Sequence, residues 1–104
     1  MNAGGEGTSD PERYLLQLYV AGATAGSARA IESIRRICTE QLEGRCEVEV
    51  IDIYQQPEQA KQADIVAVPT LIKRLPEPIR MVIGDLTDLE RVLAALGIEP
   101  VAGR

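Results

Sequence analysis

Histidine, tryptophan and phenylalanine are absent from this 104-residue chain, and three tyrosines are its only aromatic residues. Without imidazole there is no His general base and no His-ligated metal, and without broad aromatic platforms there is no stacking surface for nucleobases. Basic residues are in deficit: 11 Lys and Arg against 16 Asp and Glu give a formal charge of −5. That sign opposes the phosphate neutralisation that nucleic-acid binding requires. No apolar run approaches the ~18–20 residues that cross a bilayer, and the N-terminus lacks the basic segment and apolar stretch of a signal peptide. Two cysteines, Cys38 and Cys46, are too few for a secreted disulfide scaffold. The absences point to one small cytoplasmic domain with a single core, no membrane or nucleic-acid partner, no metal and no cofactor.

What remains is an alternation of strand-like and helix-like segments. Residues 1–12 are rich in Gly, Ser and acidic side chains, with too little apolar surface to offset the entropy of ordering, and read as a disordered tail. Tyr14 to Val20 is nearly continuous apolar and reads as a central strand covered on both faces. Gly22 to Gly26 reads as a loop and Ser27 as the cap of a helix whose apolar positions Ile31, Ile34, Cys38 and Leu42 recur at spacings of three and four until Gly44. Glu47 to Ile53 alternates charged and apolar residues in its first half, which suits an edge strand, so the first half of the chain is a βαβ unit. Pro57 opens a short second helix. Pro69, inside the apolar run Ile65 to Ile72, marks the entrance of a third strand or a cis bond. Leu75-Pro76-Glu77-Pro78 turns the chain into a fourth strand, where Ile79, Met81 and Ile83 alternate. Thr87 and Glu90 form a capping box before Leu89, Val92, Leu93 and Leu96. The domain spans 13–97, and 98–104 is a short tail. The order β-α-β-α-β-β-α, with Val68-Pro69-Thr70 leading into the hairpin, resembles the thioredoxin fold, in which a cis-proline precedes the third strand.

A redox thioredoxin carries Cys-x-x-Cys between its first strand and first helix. Here that loop reads Gly22-Ala23-Thr24-Ala25 and holds no thiol. Cys38 on the apolar helix stripe and Cys46 at a strand start read as small buried hydrophobes, with a reactive thiol as the alternative. Gly22 to Ser27 lacks the lysine of a phosphate loop and reads as a tight turn with a helix cap. Tyr14, Tyr19 and Tyr54 read as core or strand-end residues with wet hydroxyls. Lys73, Arg74 and Arg80 gather on the hairpin, where a four-residue loop sets Lys73 opposite Arg80. Like charges so placed are unfavourable by a few tenths to ~1 kcal/mol, which leaves a solvated edge or a docking patch for carboxylates.

Taken together, Tyr14 to Gly22, Val50-Ile51-Asp52-Ile53, Ala67 to Leu71, Leu75 to Arg80 and Ile83-Gly84-Asp85-Leu86 resemble the KaiB family of circadian-clock proteins over about residues 13–96. The resemblance implies a regulator without catalysis that docks on the N-terminal domains of the KaiC ATPase as a ring and alters its phosphorylation cycle. It also implies KaiA or a sensor histidine kinase as further partners, and self-association as dimer or tetramer. By resemblance, Lys73, Arg80 and Arg29 belong to the partner-facing surface, while Pro69, Gly84 and Asp85 are structural. The family further implies a resting state whose C-terminal half is rearranged relative to the thioredoxin-like, KaiC-binding state. Where a typical member has a Gly-Leu-Asp-Leu type segment this chain has Ala95-Leu96-Gly97-Ile98. Ala in a helix interior is better than Gly by about 0.8–1 kcal/mol, which favours the thioredoxin-like state. A thioredoxin-like thiol protein or redox sensor using Cys38 or Cys46 is the alternative function.

Overall fold

A computed structural model of the chain describes residues 13–99. The expectations for residues 1–12 and for the last five residues of the chain lie outside the described residues. Four strands, β1 (Tyr14–Val20), β2 (Cys46–Asp52), β3 (Thr70–Leu75) and β4 (Arg80–Ile83), form one sheet in the order β2-β1-β3-β4. Three helices, α1 (Ala25–Arg36), α2 (Pro57–Gln62) and α3 (Leu89–Leu96), complete the order read from the sequence. β1 is interior, as its apolar run requires, and β2 is the edge strand that its exposed Glu47 and Glu49 suit. The sheet is mixed: β2 runs parallel to β1, and β3 antiparallel to it.

Period-two alternation divides the core between the sheet's faces. Leu16, Leu18 and Val20 of β1, with Leu71 and Val82, pack beneath Ala30, Ile34, Val92, Leu93 and Leu96 of the helices. On the opposite face Tyr19, Ile51 and Ile72 form a smaller cluster under Ile53, Ala63, Ile65 and Val68. The alternation read in β4 is real but inverted with respect to burial. Val82 is buried, whereas Met81 and Ile83 stay 45% exposed each, because the cover on the second face does not reach the β4 edge.

Helix α1 widens at its end. Residues Ile37–Gln41 form a π-turn closed by Leu42 N–H on the Ile37 carbonyl at 3.1 Å. The added residue per turn brings Ile37, Cys38 and Leu42 all into the core. Both helix caps differ from the sequence expectation by a few residues. Thr24, not Ser27, caps α1, its Oγ1 accepting the Ser27 N–H at 3.0 Å. Asp88, not Thr87, caps α3, accepting the Arg91 N–H at 3.3 Å. Glu90 therefore falls one position short of the capping-box site. At the other end of α3, Gly97 adopts φ +74°, and Ile98 N–H reaches the Leu93 carbonyl at 2.9 Å. This Schellman closure folds Ile98 into the core instead of leaving it to fray with the tail.

The cap assignment has a measurable consequence. Asp88→Ala should cost about 1 kcal/mol of stability, and Glu90→Gln no more than a few tenths, in urea denaturation followed by circular dichroism. Equal losses from the two would contradict Asp88 as the cap.

Candidate functional site

The C-terminal end of β1 and the start of β3 meet the first turn of α1. Gly22, at φ +71°, turns the chain out of β1. Its N–H and that of Tyr54 both donate to Asp52 Oδ1, at 3.1 and 2.9 Å, which ties the loop after β1 to the loop after β2. The Tyr54 ring lies over Gly22, within 3.6 Å of where a Cβ would stand, and is otherwise 74% exposed. Thr24 Oγ1 donates in turn to Ser27 Oγ at 3.1 Å. The segment before β3 reaches this loop through Pro69, which follows a cis peptide bond. Gly84, at φ +103°, donates its N–H to the Pro69 carbonyl at 3.1 Å.

Asp85 closes the turn into α3. Its Oδ1 accepts the Thr87 N–H at 2.9 Å and the Thr87 hydroxyl, and its carbonyl accepts from Arg91 Nη2. The Thr87 hydroxyl first, then the Thr87 N–H, hold the Asp85 carboxyl below its ordinary range, with Arg91 and Arg29 adding favourable charge. Arg29 completes the site: with Gly26, Ala30, Pro69, Gly84 and Leu86 it lines a depression of about 340 Å³. Three candidate structural residues, Pro69, Gly84 and Asp85, and one candidate partner residue, Arg29, thus converge on one place.

The other two candidate partner residues sit at the hairpin end of β3 and β4. Lys73 does lie opposite Arg80, as the turn length required, but it is not part of a solvated patch. It is 4% exposed, and its Nζ donates to the Pro76 carbonyl at 2.7 Å. The like-charge conflict is relieved by turning one cation inward to the turn's main chain. Arg80 stays exposed, with its Nε 3.9 Å from the position a Gly97 Cβ would take, over the negative end of α3. Arg74 is engaged separately. It donates to Gln17 Oε1 at 2.6 Å, and Gln17 Nε2 donates to Glu49 Oε1 at 2.9 Å, a polar ladder across three strands.

Cys38 and Cys46 are not free thiols. They are joined as a disulfide with Cα atoms 5.4 Å apart, linking the π-turn to the start of β2. Cys46 pairs with Tyr14 at the beginning of β1, whereas Pro69 stands beyond Thr70, which pairs with Tyr19 near its end. The sulfurs therefore lie at the opposite end of the sheet from the depression, and the loop before α1 contributes none. Tyr19 is buried, Tyr14 is half-buried with the Arg45 guanidinium 5.9 Å above its ring, and Tyr54 is exposed. Among the described residues no group of His, Cys, Asp or Glu has the arrangement of a metal site, and no helix is long and apolar enough to cross a membrane.

Reading the sequence missed Thr24, Asp52, Thr87 and Arg91 as residues that build the site. Thr24, Asp52 and Thr87 belong to short polar patterns, Thr-x-x-Ser, Asp-x-Tyr and Asp-x-Thr, in which the first side chain bonds a main-chain N–H two or three residues on, whereas Arg91 reaches the Asp85 carbonyl from six residues away and has no such local mark.

Two measurements test this geometry. The depressed Asp85 value means its contribution is present above the unfolded-state pKa and is lost as pH falls through the folded-state one. Thr87→Val should raise the Asp85 carboxyl pKa in a carbon-13 titration, and an unmoved value would contradict the hydrogen-bond assignment. The Cys38–Cys46 bridge closes a separation of 8 residues, so its reduction should lower stability by roughly 2–3 kcal/mol. In urea melts, a reductant should shift the midpoint of this protein and leave the Cys38→Ser, Cys46→Ser double variant unmoved.

The KaiB domain family model matches residues 17–98. The circadian clock protein KaiB3 of Synechocystis is 44% identical over 91 residues, covering 88% of this chain and 89% of that protein. The circadian clock oscillator protein KaiB of Nostoc punctiforme is 46% identical over 85 residues, 82% of each chain. Among solved structures, the N-terminal domain of Synechococcus elongatus SasA superposes with a TM-score of 0.68 at 24% identity, covering 86% of this chain and 88% of that one. That likeness shows the fold, which is the thioredoxin-like one read from the element order. With most of its length matched by the family model and by these relatives, the chain belongs to the KaiB family of circadian clock proteins.

Proposed function

We propose that the protein is a regulator without catalysis of its own, which acts by docking on the KaiC ATPase and modulating its phosphorylation cycle. The observation that carries this reading is the pair of exposed guanidinium groups. Arg29 and Arg80 form no ion pair among the described residues, on a chain that is acidic overall. Exposed cations outside any ion pair suit a partner surface rich in carboxylates. Lys73, committed to the Pro76 carbonyl, shapes the hairpin that presents Arg80 and does not itself meet the partner.

The C-terminal half is held in the arrangement that the family resemblance associates with KaiC binding. Ala95 stands inside α3, and Gly97 supplies the left-handed residue that closes the helix. An Ala in the helix and a Gly at its cap both favour this packing over an extended one. Even ~1 kcal/mol changes a two-state ratio about fivefold, enough to leave the docking form substantially populated before KaiC arrives. A thiol-exchange function finds no support in the geometry, since the loop before α1 carries no sulfur.

In a titration with the cognate KaiC and ATP, Arg29→Glu with Arg80→Glu should weaken binding about tenfold or more, ~1.4 kcal/mol. Lys73→Met should lower stability while leaving affinity nearly unchanged, and the Cys38→Ser, Cys46→Ser variant should bind normally. Undiminished binding by the double charge reversal would contradict the reading.

A further inference from the structure

A hollow adjoining the depression beside α1 is bordered by a residue whose main chain the fold leaves unused. Val68 is half-buried and belongs to no strand or helix. Neither its N–H nor its carbonyl has a hydrogen-bond partner among the described residues. With its main-chain donor and acceptor both left over by the fold, Val68 amounts to a strand edge one residue long that lacks its neighbour. The edge is bounded on both sides. Pro69 has no N–H and gives its carbonyl to Gly84, while the Ala67 carbonyl accepts the Thr70 hydroxyl at 2.6 Å.

A hollow of about 210 Å³ lies between Val68 and the residues Val20, Thr24, Gly26 and Ser27. It continues past Gly26 and Pro69 into the depression of about 340 Å³ that Arg29 lines. Gly26 and Ala30 offer small surfaces there, which leave room for a guest side chain. At the far end Arg29 is exposed, and the Asp85 Oδ1 that shares the depression already accepts two hydrogen bonds from Thr87. Beyond it Arg29 and Arg36 flank Glu32 along the next stretch of the same groove.

We infer that this groove receives an extended, acidic peptide segment of a partner protein. The segment pairs its main chain with the N–H and carbonyl of Val68, seats an apolar side chain against Gly26, Ala30 and Pro69, and places a carboxylate on Arg29. An unpaired donor and acceptor on one residue match another main chain better than any side chain. The adjoining cation then selects Asp or Glu at the position that reaches it. The inference extends the docking reading, with which it shares Arg29, and its test keeps the two apart.

The test titrates the nitrogen-15-labelled full chain with a blocked valine-leucine-valine-glutamate-valine peptide, the same peptide with lysine for glutamate, and a version N-methylated at the central residues. The acidic peptide should shift the amides of Gly26, Val68 and Gly84 and bind about tenfold more tightly than the lysine peptide. N-methylation should abolish binding, and Arg29→Glu should reverse the charge preference. Absence of shifts at millimolar peptide, equal binding of the two charged peptides, or shifts confined to β2 or β4 would overturn the inference. Normal KaiC binding beside a failed peptide titration removes only this inference, whereas an intact peptide response beside absent KaiC binding removes only the docking reading.

Discussion

The antiparallel pairing of β3 with β1 is the constraint on which the rest of this structure depends. Register Leu18↔Leu71 and Gln17↔Ile72 commits the second half of the chain to the sheet built by the first. From that register β4 follows by hairpin, Val82 drops onto the helix-covered face, and α3 finds its seat against Leu16, Leu18 and Leu71. It also brings Pro69 against the first turn of α1, so the depression with Arg29 exists only while the pairing holds. Leu18, Leu71 and Leu16 are fully buried there, each a side chain whose removal from water is worth roughly 1.5–3 kcal/mol. The local devices around them, the caps, the Asp52 bonds and the Gly97 closure, refine a layout already decided by this interior strand pair.

Much of the layout was legible because its signals are periodic. β1 is a continuous apolar run and sits inside the sheet; α3 repeats Leu89, Val92, Leu93 and Leu96 and buries that stripe. Legibility fails where one polar residue has two plausible partners. Thr87 reads as a cap, but Asp85 two residues before it takes the hydroxyl and leaves capping to Asp88. Thr24 and Ser27 are both good caps three residues apart, and only the geometry of the loop after Gly22 selects the first. Lys73 carries no sequence mark of burial, because its partner is a main-chain carbonyl of the turn. The Cys38–Cys46 bridge was equally hidden. It depends on the π-turn, which swings Cys38 toward the start of β2 and which no residue type announces.

The charge pattern separates the polar groups bonded within the fold from cations left at the surface. Arg74, Gln17 and Glu49 are satisfied across the sheet, and Lys73 is satisfied by the hairpin. Arg29 and Arg80 are left at the surface, at the two ends of the β3–β4 pair, on an otherwise acidic chain.

Backbone nuclear Overhauser contacts in the isolated protein test the central claim most directly. The account predicts cross-strand contacts between Leu18 and Leu71 and between Gln17 and Ile72, with helical carbon shifts over residues 89–96. Extended shifts over 89–96, with no contact between Leu18 and Leu71, would contradict it.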